Sequence, residues 1–191
     1  MGITWQLLGG DPAFQAAPDS DEPKVEELPN GQIVLSGRKW YGRTFNIWTF
    51  AQGSTTEGTW DTPVNSHDAP GGIRVGANSC NGEILIVRGR RASDGKPCTV
   101  ALQSLPKADK RADVTIYYKV LDEGRSYTTA AFAENWTEGL QVSPTRSAYS
   151  TMCLQKDGRI AFFYEEEPYI YNMVYVPLTL SQITKGEIIN H

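Results

Sequence analysis

The stretch NGQIVLS at residues 30–36 returns twice along the chain, as NGEILIV at 81–87 and as DGRIAFF at 157–163. Asn-Gly and Asp-Gly favour tight two-residue hairpins, because both central residues of such a turn need positive φ. Each copy therefore predicts a hairpin that leads into a largely buried strand. Asp94-Gly95 begins a fourth, poorer copy.

The spacing of the copies indicates a β-propeller. Their glycines lie 51 and 76 residues apart, which fits one blade and two blades at about 40–45 residues a blade. The 191 residues then form a single domain, 1–191, of about four blades. Gly2–Trp5 reads G-x-T-W, the tail of the Asp box (BNR repeat) hairpin of propeller blades, and Gly58–Trp60 repeats its ending. A β-sandwich is the alternative fold.

Short runs rich in Val, Ile, Phe and Tyr alternate with Gly, Pro, Asn and Asp, and long helical periodicity is absent. The fold class is therefore predicted to be all-β, with one helical turn allowed for at Leu180–Thr184. The predicted strands are Lys24–Leu28, Gln32–Ser36, Thr44–Phe50, Glu83–Arg88, Thr99–Leu105, Asp113–Val120, Ser147–Leu154, Arg159–Tyr164 and Tyr169–Pro177.

Composition excludes several classes of function. The formal net charge is -4 and charges of both signs are scattered, which argues against a nucleic-acid-binding face. No run of about eighteen apolar residues predicts a membrane span. Three cysteines without a CxxC and two histidines make a metal site improbable, and no cofactor is predicted.

The repeat also aligns chemically useful side chains. Glu22 and Tyr149 each lie nine residues before the glycine of their hairpin, and Arg38 and Glu165 each lie seven residues after it. Equivalent ends of propeller strands converge on the central axis, so these side chains are expected to meet there. Arg fits a carboxylate bidentately, and Glu can take the proton from a phenol. The pattern indicates a site for an anionic ligand with an activated tyrosine.

Four segments together resemble the catalytic domain of the bacterial exo-α-sialidase (neuraminidase) family. They are Asp21–Arg38, Arg111–Val114, Ser147–Thr151 and Phe162–Glu165, and their order and spacing are similar to those of the family across almost the whole chain. The resemblance implies the C-terminal part of a six-bladed catalytic propeller.

The same resemblance implies roles for five residues. Tyr149 is the nucleophile and Glu22 its base partner, Arg38 and Arg111 hold the substrate carboxylate, and Glu165 orients another arginine of the site. The implied activity is the release of terminal sialic acid from glycoproteins, glycolipids or oligosaccharides, with retained configuration, through a tyrosyl-enzyme intermediate. Each of these residues taken alone also fits a surface or half-buried structural position.

The family's first arginine and its acid/base aspartate lie on earlier blades. No Arg precedes Arg38, and Asp11, Asp19 and Asp21 lie in a Pro/Ala/Gly-rich loop. We therefore expect this chain alone to be a poor catalyst, and a non-catalytic sialic-acid-binding propeller fragment or a purely structural propeller remains an alternative. Asp122–Ser126 is predicted to be an inserted loop. The parent protein is expected to be secreted, periplasmic or on the cell surface of a bacterium.

Overall fold

The structure, a computed structural model, describes residues 13–167 and 171–190. This part of the chain contains thirteen strands, two short α-helices and one 3-10 turn at Ser66–Asp68. The strands are β1 (Asp21–Glu27), β2 (Ile33–Lys39), β3 (Gly42–Phe50), β4 (Gly58–Trp60), β5 (Val64–Asn65), β6 (Ile84–Arg91), β7 (Pro97–Ala108), β8 (Ala112–Leu121), β9 (Thr137–Gln141), β10 (Ser147–Leu154), β11 (Ile160–Glu166), β12 (Asn172–Leu178) and β13 (Ile188–Asn190). The helices are α1 (Thr129–Ala133) and α2 (Leu180–Ile183).

The strands form three antiparallel sheets. The first has the order β1-β2-β3-β4, with β5 also paired to β3; the second has the order β13-β6-β7-β8-β9; the third has the order β10-β11-β12. The predicted all-β class is confirmed, and the three sheets are those of an incomplete β-propeller. About four blades were predicted, and the described residues supply three sheets. The Asp-box tail at Gly2–Trp5 lies outside the described residues, while Gly58–Trp60 is an edge strand on β3.

The second sheet is buried on both of its faces. Alternate residues of β7 take opposite sides: Ala101 and Leu105 join a core shared with the first sheet, whereas Val100 and Leu102 join a core shared with the third. Side chains of a strand alternate between faces, so a strand covered on both sides is apolar at most of its positions. This explains the continuous apolar runs that the sequence shows in this sheet.

Two of the predicted hairpins share one irregularity. Gly31 and Gly158 both have positive φ, at +84° and +80°, in the β1–β2 and β10–β11 turns. In the first hairpin the pairing moves from Asp21–Arg38 to Lys24–Ser36, which leaves one extra residue on β1. In the second hairpin the pairing moves from Ser147–Glu166 to Ser150–Tyr164, which leaves one extra residue on β10. The two hairpins therefore carry the same one-residue β-bulge near the start of the first strand.

The third predicted hairpin, at Asn81-Gly82, is wrong. The strand that follows it, β6, pairs with β7 and β13, and residues 76–82 ahead of it form no strand. Gly82 instead packs against the backbone of Ser104, and a Cβ at this position would collide with the Ser104 carbonyl oxygen. Gly82 is needed because its lack of a side chain lets two backbone segments pack closely, and not because a turn requires positive φ. The poorer copy at Asp94-Gly95 does form the β6–β7 turn, with Gly95 at φ +69°.

The expected inserted loop leads into a segment that closes the core between the first and second sheets. After β8 the chain turns at Asp122 and reaches α1, whose Phe132 is fully buried. Phe132 meets Phe45 edge-on at 5.2 Å and Trp136 at 5.5 Å between ring centroids. Tyr127 ties the segment to the first sheet, because its amide donates to Gln32 Oε1 at 2.8 Å. The sequence did not predict α1, β4, β5, β9 or β13.

None of the helices in the described ranges has the length and apolar character that a membrane span requires.

Replacing Phe132 with Ala should lower the free energy of unfolding by about 3–5 kcal/mol, because it leaves a cavity among packed aromatic rings. Chemical denaturation followed by tryptophan fluorescence measures the change. Phe14 is 47% exposed, so Phe14→Ala is the control and should change the free energy of unfolding by less than about 0.5 kcal/mol. Equal effects of the two substitutions would contradict this description of the core.

Candidate functional site

The two equivalent bulges place Glu22 and Tyr149 at the same end of their strands. Glu22 has a left-handed backbone with φ +46° and lies inside the irregular register of β1. Tyr149 lies inside the irregular register of β10. β1 belongs to the first sheet and β10 to the third, so the two residues come together from sheets that lie on opposite sides of the second.

Glu22, Arg38 and Tyr149 form a closed triangle of hydrogen bonds. The Tyr149 hydroxyl donates to Glu22 Oε1 at 2.9 Å. Arg38 Nη1 lies 3.1 Å from Glu22 Oε2 and 3.1 Å from the Tyr149 hydroxyl oxygen, and it donates to both. The phenol is thus a donor to the carboxylate and an acceptor from the guanidinium. Three of the five predicted site residues are in direct contact.

The triangle keeps Glu22 ionised and Tyr149 neutral. Burial by itself would raise the pKa of Glu22, but hydrogen bonds from Tyr149 and Arg38 and the charges of Arg38 and Arg111 outweigh it, so the pKa lies below its ordinary value. The hydrogen bond to Glu22, helped by burial, raises the pKa of Tyr149. Because the pKa of Glu22 is lower in the folded protein, its ionised form stabilises the fold above about pH 4.5, and this stabilisation is lost as the pH falls through the folded-state pKa.

Arg111 stands over the nucleophile candidate rather than in the triangle. Its Cζ lies 5.5 Å from the centroid of the Tyr149 ring, a cation–π contact. Arg111 is part of the β7–β8 turn, where it and Lys110 have φ +60° and +57°. Its carbonyl accepts from the amide of Ser147 at 3.0 Å, which fixes this turn to the start of β10. A second guanidinium therefore faces the phenol.

Glu165 supports the bulge that carries Tyr149. Its Oε2 accepts from the backbone amide of Tyr149 at 3.2 Å. The bulge removes this amide from the regular strand ladder, and the carboxylate replaces the missing acceptor. The expected role of Glu165 in orienting an arginine stays a prediction, since the described residues include no arginine bonded to it.

Sequence reasoning missed the support beneath Arg38. Arg38 Nε donates to Ser79 Oγ at 2.9 Å, and the next residue, Cys80, accepts through its carbonyl from Arg43 Nη1 at 3.1 Å. Arg43 is fully buried and also donates to the hydroxyl and carbonyl oxygens of Ser36, each at 3.0 Å. Burial lowers the pKa of Arg43 to about 10, so it remains a cation at neutral pH. Arg43 therefore holds the backbone segment at Ser79 and Cys80, and this segment in turn positions Arg38.

The register of the first sheet gives one indication of this support. Arg38 and Arg43 are directly paired on β2 and β3, so both project from the same face of the sheet. Like charges in such a pair repel, which indicates that each needs its own polar partners. Ser79 and Cys80 belong to residues 76–82, which form no strand, and no periodic pattern could predict their position.

Cys80 is not a nucleophile in this arrangement. Its side chain is 3% exposed, and burial raises the pKa of its thiol to about 12. The neighbouring charges of Arg111 and Arg38 do not offset that effect. The thiol therefore stays protonated at physiological pH and acts as a small apolar side chain.

A groove of about 250 Å³ opens beside Tyr149. It is lined by Asn81, Tyr149, Ser150, Thr151, Phe163, Glu165 and Met173. Within residues 13–167 and 171–190, no three His, Cys, Asp or Glu side chains converge into a group that could hold a metal ion. The groups that could take part in binding or reaction are one phenol, two carboxylates and two guanidinium groups.

Comparisons with known proteins support the fold. No family model matches the chain, and no curated protein matches it. Among solved structures, the chain is similar to the intramolecular trans-sialidase from Ruminococcus gnavus, solved in complex with oseltamivir carboxylate. The TM-score is 0.57 at 19% identity, over 85% of this chain and 33% of that one. The chain thus spans about a third of the length of that protein, and the likeness is one of fold.

Replacing Glu22 with Gln should lower the pKa of Tyr149, because it removes the negative charge that stabilises the neutral phenol while Arg38 and Arg111 remain. Carbon NMR of Tyr labelled at Cζ, titrated with pH, measures the change. Glu166→Gln is the matched control: Glu166 accepts from the Tyr164 hydroxyl at 2.7 Å, so this substitution should shift Tyr164 and leave Tyr149 unchanged. A Tyr149 pKa that does not fall in Glu22→Gln would contradict the hydrogen-bonded pair.

Proposed function

We propose that this chain is the C-terminal part of the catalytic propeller of a retaining exo-α-sialidase that releases terminal sialic acid from glycoconjugates. One observation carries the proposal: the Tyr149 hydroxyl is bonded to the Glu22 carboxylate at 2.9 Å and to Arg38 at 3.1 Å. A phenol with a base on one side and a carboxylate-binding group on the other is what this chemistry requires. The sialidase-type fold of the neighbour supports the same conclusion.

The two arginines suit the carboxylate of a 2-keto acid sugar. Arg38 is only 21% exposed in its side chain, so a ligand carboxylate bound there is largely removed from water, where charge-assisted hydrogen bonds are strong. Arg111 lies over the phenol ring, with its Cζ 5.5 Å from the ring centroid. A carboxylate held between them would fix the sugar with its anomeric carbon near the Tyr149 hydroxyl.

The fixed carboxylate explains the choice of a tyrosine. A carboxylate nucleophile approaching an anomeric carbon that bears a carboxylate would be repelled, and sialidases are the tyrosine-dependent exception among glycosidases. In the proposed step the Tyr149 oxygen bonds to the anomeric carbon, its proton passes to Glu22, and the glycosidic oxygen leaves with a proton from a general acid. Water then attacks the anomeric carbon and gives a proton to the conjugate base of the general acid, while the bond to Tyr149 breaks and the phenol recovers its proton from Glu22.

The general acid and a third arginine are the parts that the family resemblance assigns to earlier blades. Turnover is therefore proposed for a protein in which those blades are present. The natural partners would be sialylated oligosaccharides, glycoproteins or glycolipids, which suits a secreted, periplasmic or surface location in a bacterium.

A second candidate is a module that binds an acidic sugar without cleaving it. For this chain alone, the binding module is favoured because both carboxylates near Tyr149 already have hydrogen-bond partners. Glu22 is shared between Arg38 and the phenol, and Glu165 accepts from a backbone amide. Neither carboxylate is placed as an acid for a leaving group.

Arg38→Ala should weaken the binding of N-acetylneuraminic acid by about tenfold or more, because hydrogen bonds to charged groups contribute about 1.5–3 kcal/mol. Titration calorimetry with the free sugar measures the affinity. Arg90→Ala is the matched control, since the side chain of Arg90 donates to the exposed turn carbonyl of Gly95 at 3.2 Å, and it should bind like the wild type. Equal affinities for all three proteins would refute the carboxylate site.

In a protein that includes the earlier blades, Tyr149→Phe should abolish the release of fluorophore from a 4-methylumbelliferyl sialoside while it preserves sugar binding, because only the nucleophilic oxygen is lost. The test measures the initial rates of the wild type and the variant, and calorimetric titration measures the sugar affinity of each. Equal turnover by both proteins would refute the assignment of Tyr149. Sugar binding without turnover by a wild-type protein that includes the earlier blades would favour the binding module.

A further inference from the structure

Trp40 and Tyr41 form an exposed aromatic pair in the turn that follows Arg38. They are the two residues that connect β2 to β3, since Lys39 pairs with Gly42 across the turn. Arg38 lies two residues before Trp40 at the end of β2, so the turn continues from the strand end that carries the guanidinium. Trp40 is 57% exposed and Tyr41 is 47% exposed.

The backbone of Tyr41 has a conformation that favours glycine. Its φ is +66°, in the left-handed region that costs a residue with a side chain about 1–2 kcal/mol. A large aromatic side chain at such a position, with half of its surface in water, gains little from burial. Strained residues of this kind concentrate at binding and catalytic sites, so the observation calls for a function of the ring.

The turn is held rigidly against the segment that supports Arg38. The amide of Tyr41 donates to the carbonyl of Asn78 at 3.2 Å, and the amide of Val75 donates to the carbonyl of Tyr41 at 3.0 Å. Ser79, the hydrogen-bond partner of Arg38 Nε, directly follows Asn78. The aromatic turn and the guanidinium are therefore positioned by the same stretch of backbone.

The two rings present an open, angled surface. Their centroids are 6.2 Å apart with 50° between the ring planes, and Tyr41 also makes an edge-type contact with His67, with 6.0 Å between the ring centroids. Neither ring belongs to the cores between the sheets. Aromatic faces carry negative charge density, and the C–H groups on one face of a pyranose carry the complementary positive charge.

We infer that Trp40 and Tyr41 bind the neutral pyranose that is linked to the acidic sugar, and so select the aglycone of the substrate. The inference rests on the proposed function, because it uses Arg38 as the fixed point from which the second sugar extends. The preorganised turn lowers the entropic cost of binding. The turn would thus favour a sialylated oligosaccharide over the free acidic sugar.

The test compares two probes, N-acetylneuraminic acid and 3′-sialyllactose, by titration calorimetry on the 191-residue chain. The wild type should bind the trisaccharide more tightly. Trp40→Ala should weaken trisaccharide binding by about threefold to tenfold, as the loss of a stacked ring implies, and leave binding of the monosaccharide unchanged. Phe14→Ala removes a ring of similar exposure, 47%, from the segment that precedes β1, and should change neither affinity.

Tyr41→Gly separates recognition from folding. Gly relieves the strained φ, so the melting temperature should stay the same or rise, while trisaccharide affinity falls as in Trp40→Ala. Equal affinity of the wild type for the two probes, or variants that bind both like the wild type, overturns the aromatic subsite and leaves the carboxylate site standing. Failure of the wild type to bind either probe overturns the proposed function together with the subsite.

Discussion

The second sheet is buried on both faces, and the rest of the molecule depends on this constraint. Packed sheets lie about 10 Å apart, so two flat sheets on either side of a third would be about 20 Å apart. Yet the Tyr149 hydroxyl of the third sheet lies 2.9 Å from the Glu22 carboxylate of the first. Both strands, β1 and β10, stand at the edges of their sheets. The sheets therefore fan out from a common line, and that line is where the site forms.

The sequence predicted most of this arrangement because the repeat encodes it twice. Gly31 and Gly158 fix two hairpins of equal length, so Glu22 and Tyr149 fall at equivalent positions, and Arg38 and Glu165 do too. The identical bulges could not be predicted, since a bulge changes the register without changing the residue spacing. The two bulges bring Glu22 and Tyr149 into contact. Each bulge takes its residue out of the regular pleat, at the end of the strand that lies near the common line of the sheets.

The failures have identifiable physical causes. Asn81-Gly82 carries the turn signature, but its glycine is needed for contact with the backbone of Ser104, and sequence alone does not separate these two uses of glycine. The strands β4, β5, β9 and β13 have two to five residues, too few to show alternation. Buried Arg43 contradicts ordinary expectations for a charged residue, and its partners Ser36 and Cys80 are brought to it only by the fold.

Backbone strain is concentrated at the same end of the molecule. Five of the eight non-glycine residues with left-handed backbones in the described ranges are Glu22, Tyr41, Lys110, Arg111 and Asp113, which belong to β1, to the β2–β3 and β7–β8 turns and to the start of β8. Each such residue costs free energy that the packed sheets must offset. A scaffold buried on both faces can hold these conformations, whereas an isolated hairpin could not. The strain thus depends on the core that the second sheet provides.

Arg38 couples ligand binding to the basicity of Glu22. The guanidinium donates to both Glu22 and Tyr149, and with the Tyr149 hydroxyl it holds the pKa of Glu22 low. In the proposed function the substrate carboxylate is a second anion beside Arg38, and a neighbouring negative charge opposes the ionised form of Glu22. The bound sugar therefore raises the pKa of Glu22 and makes it a better acceptor for the proton that Tyr149 must lose.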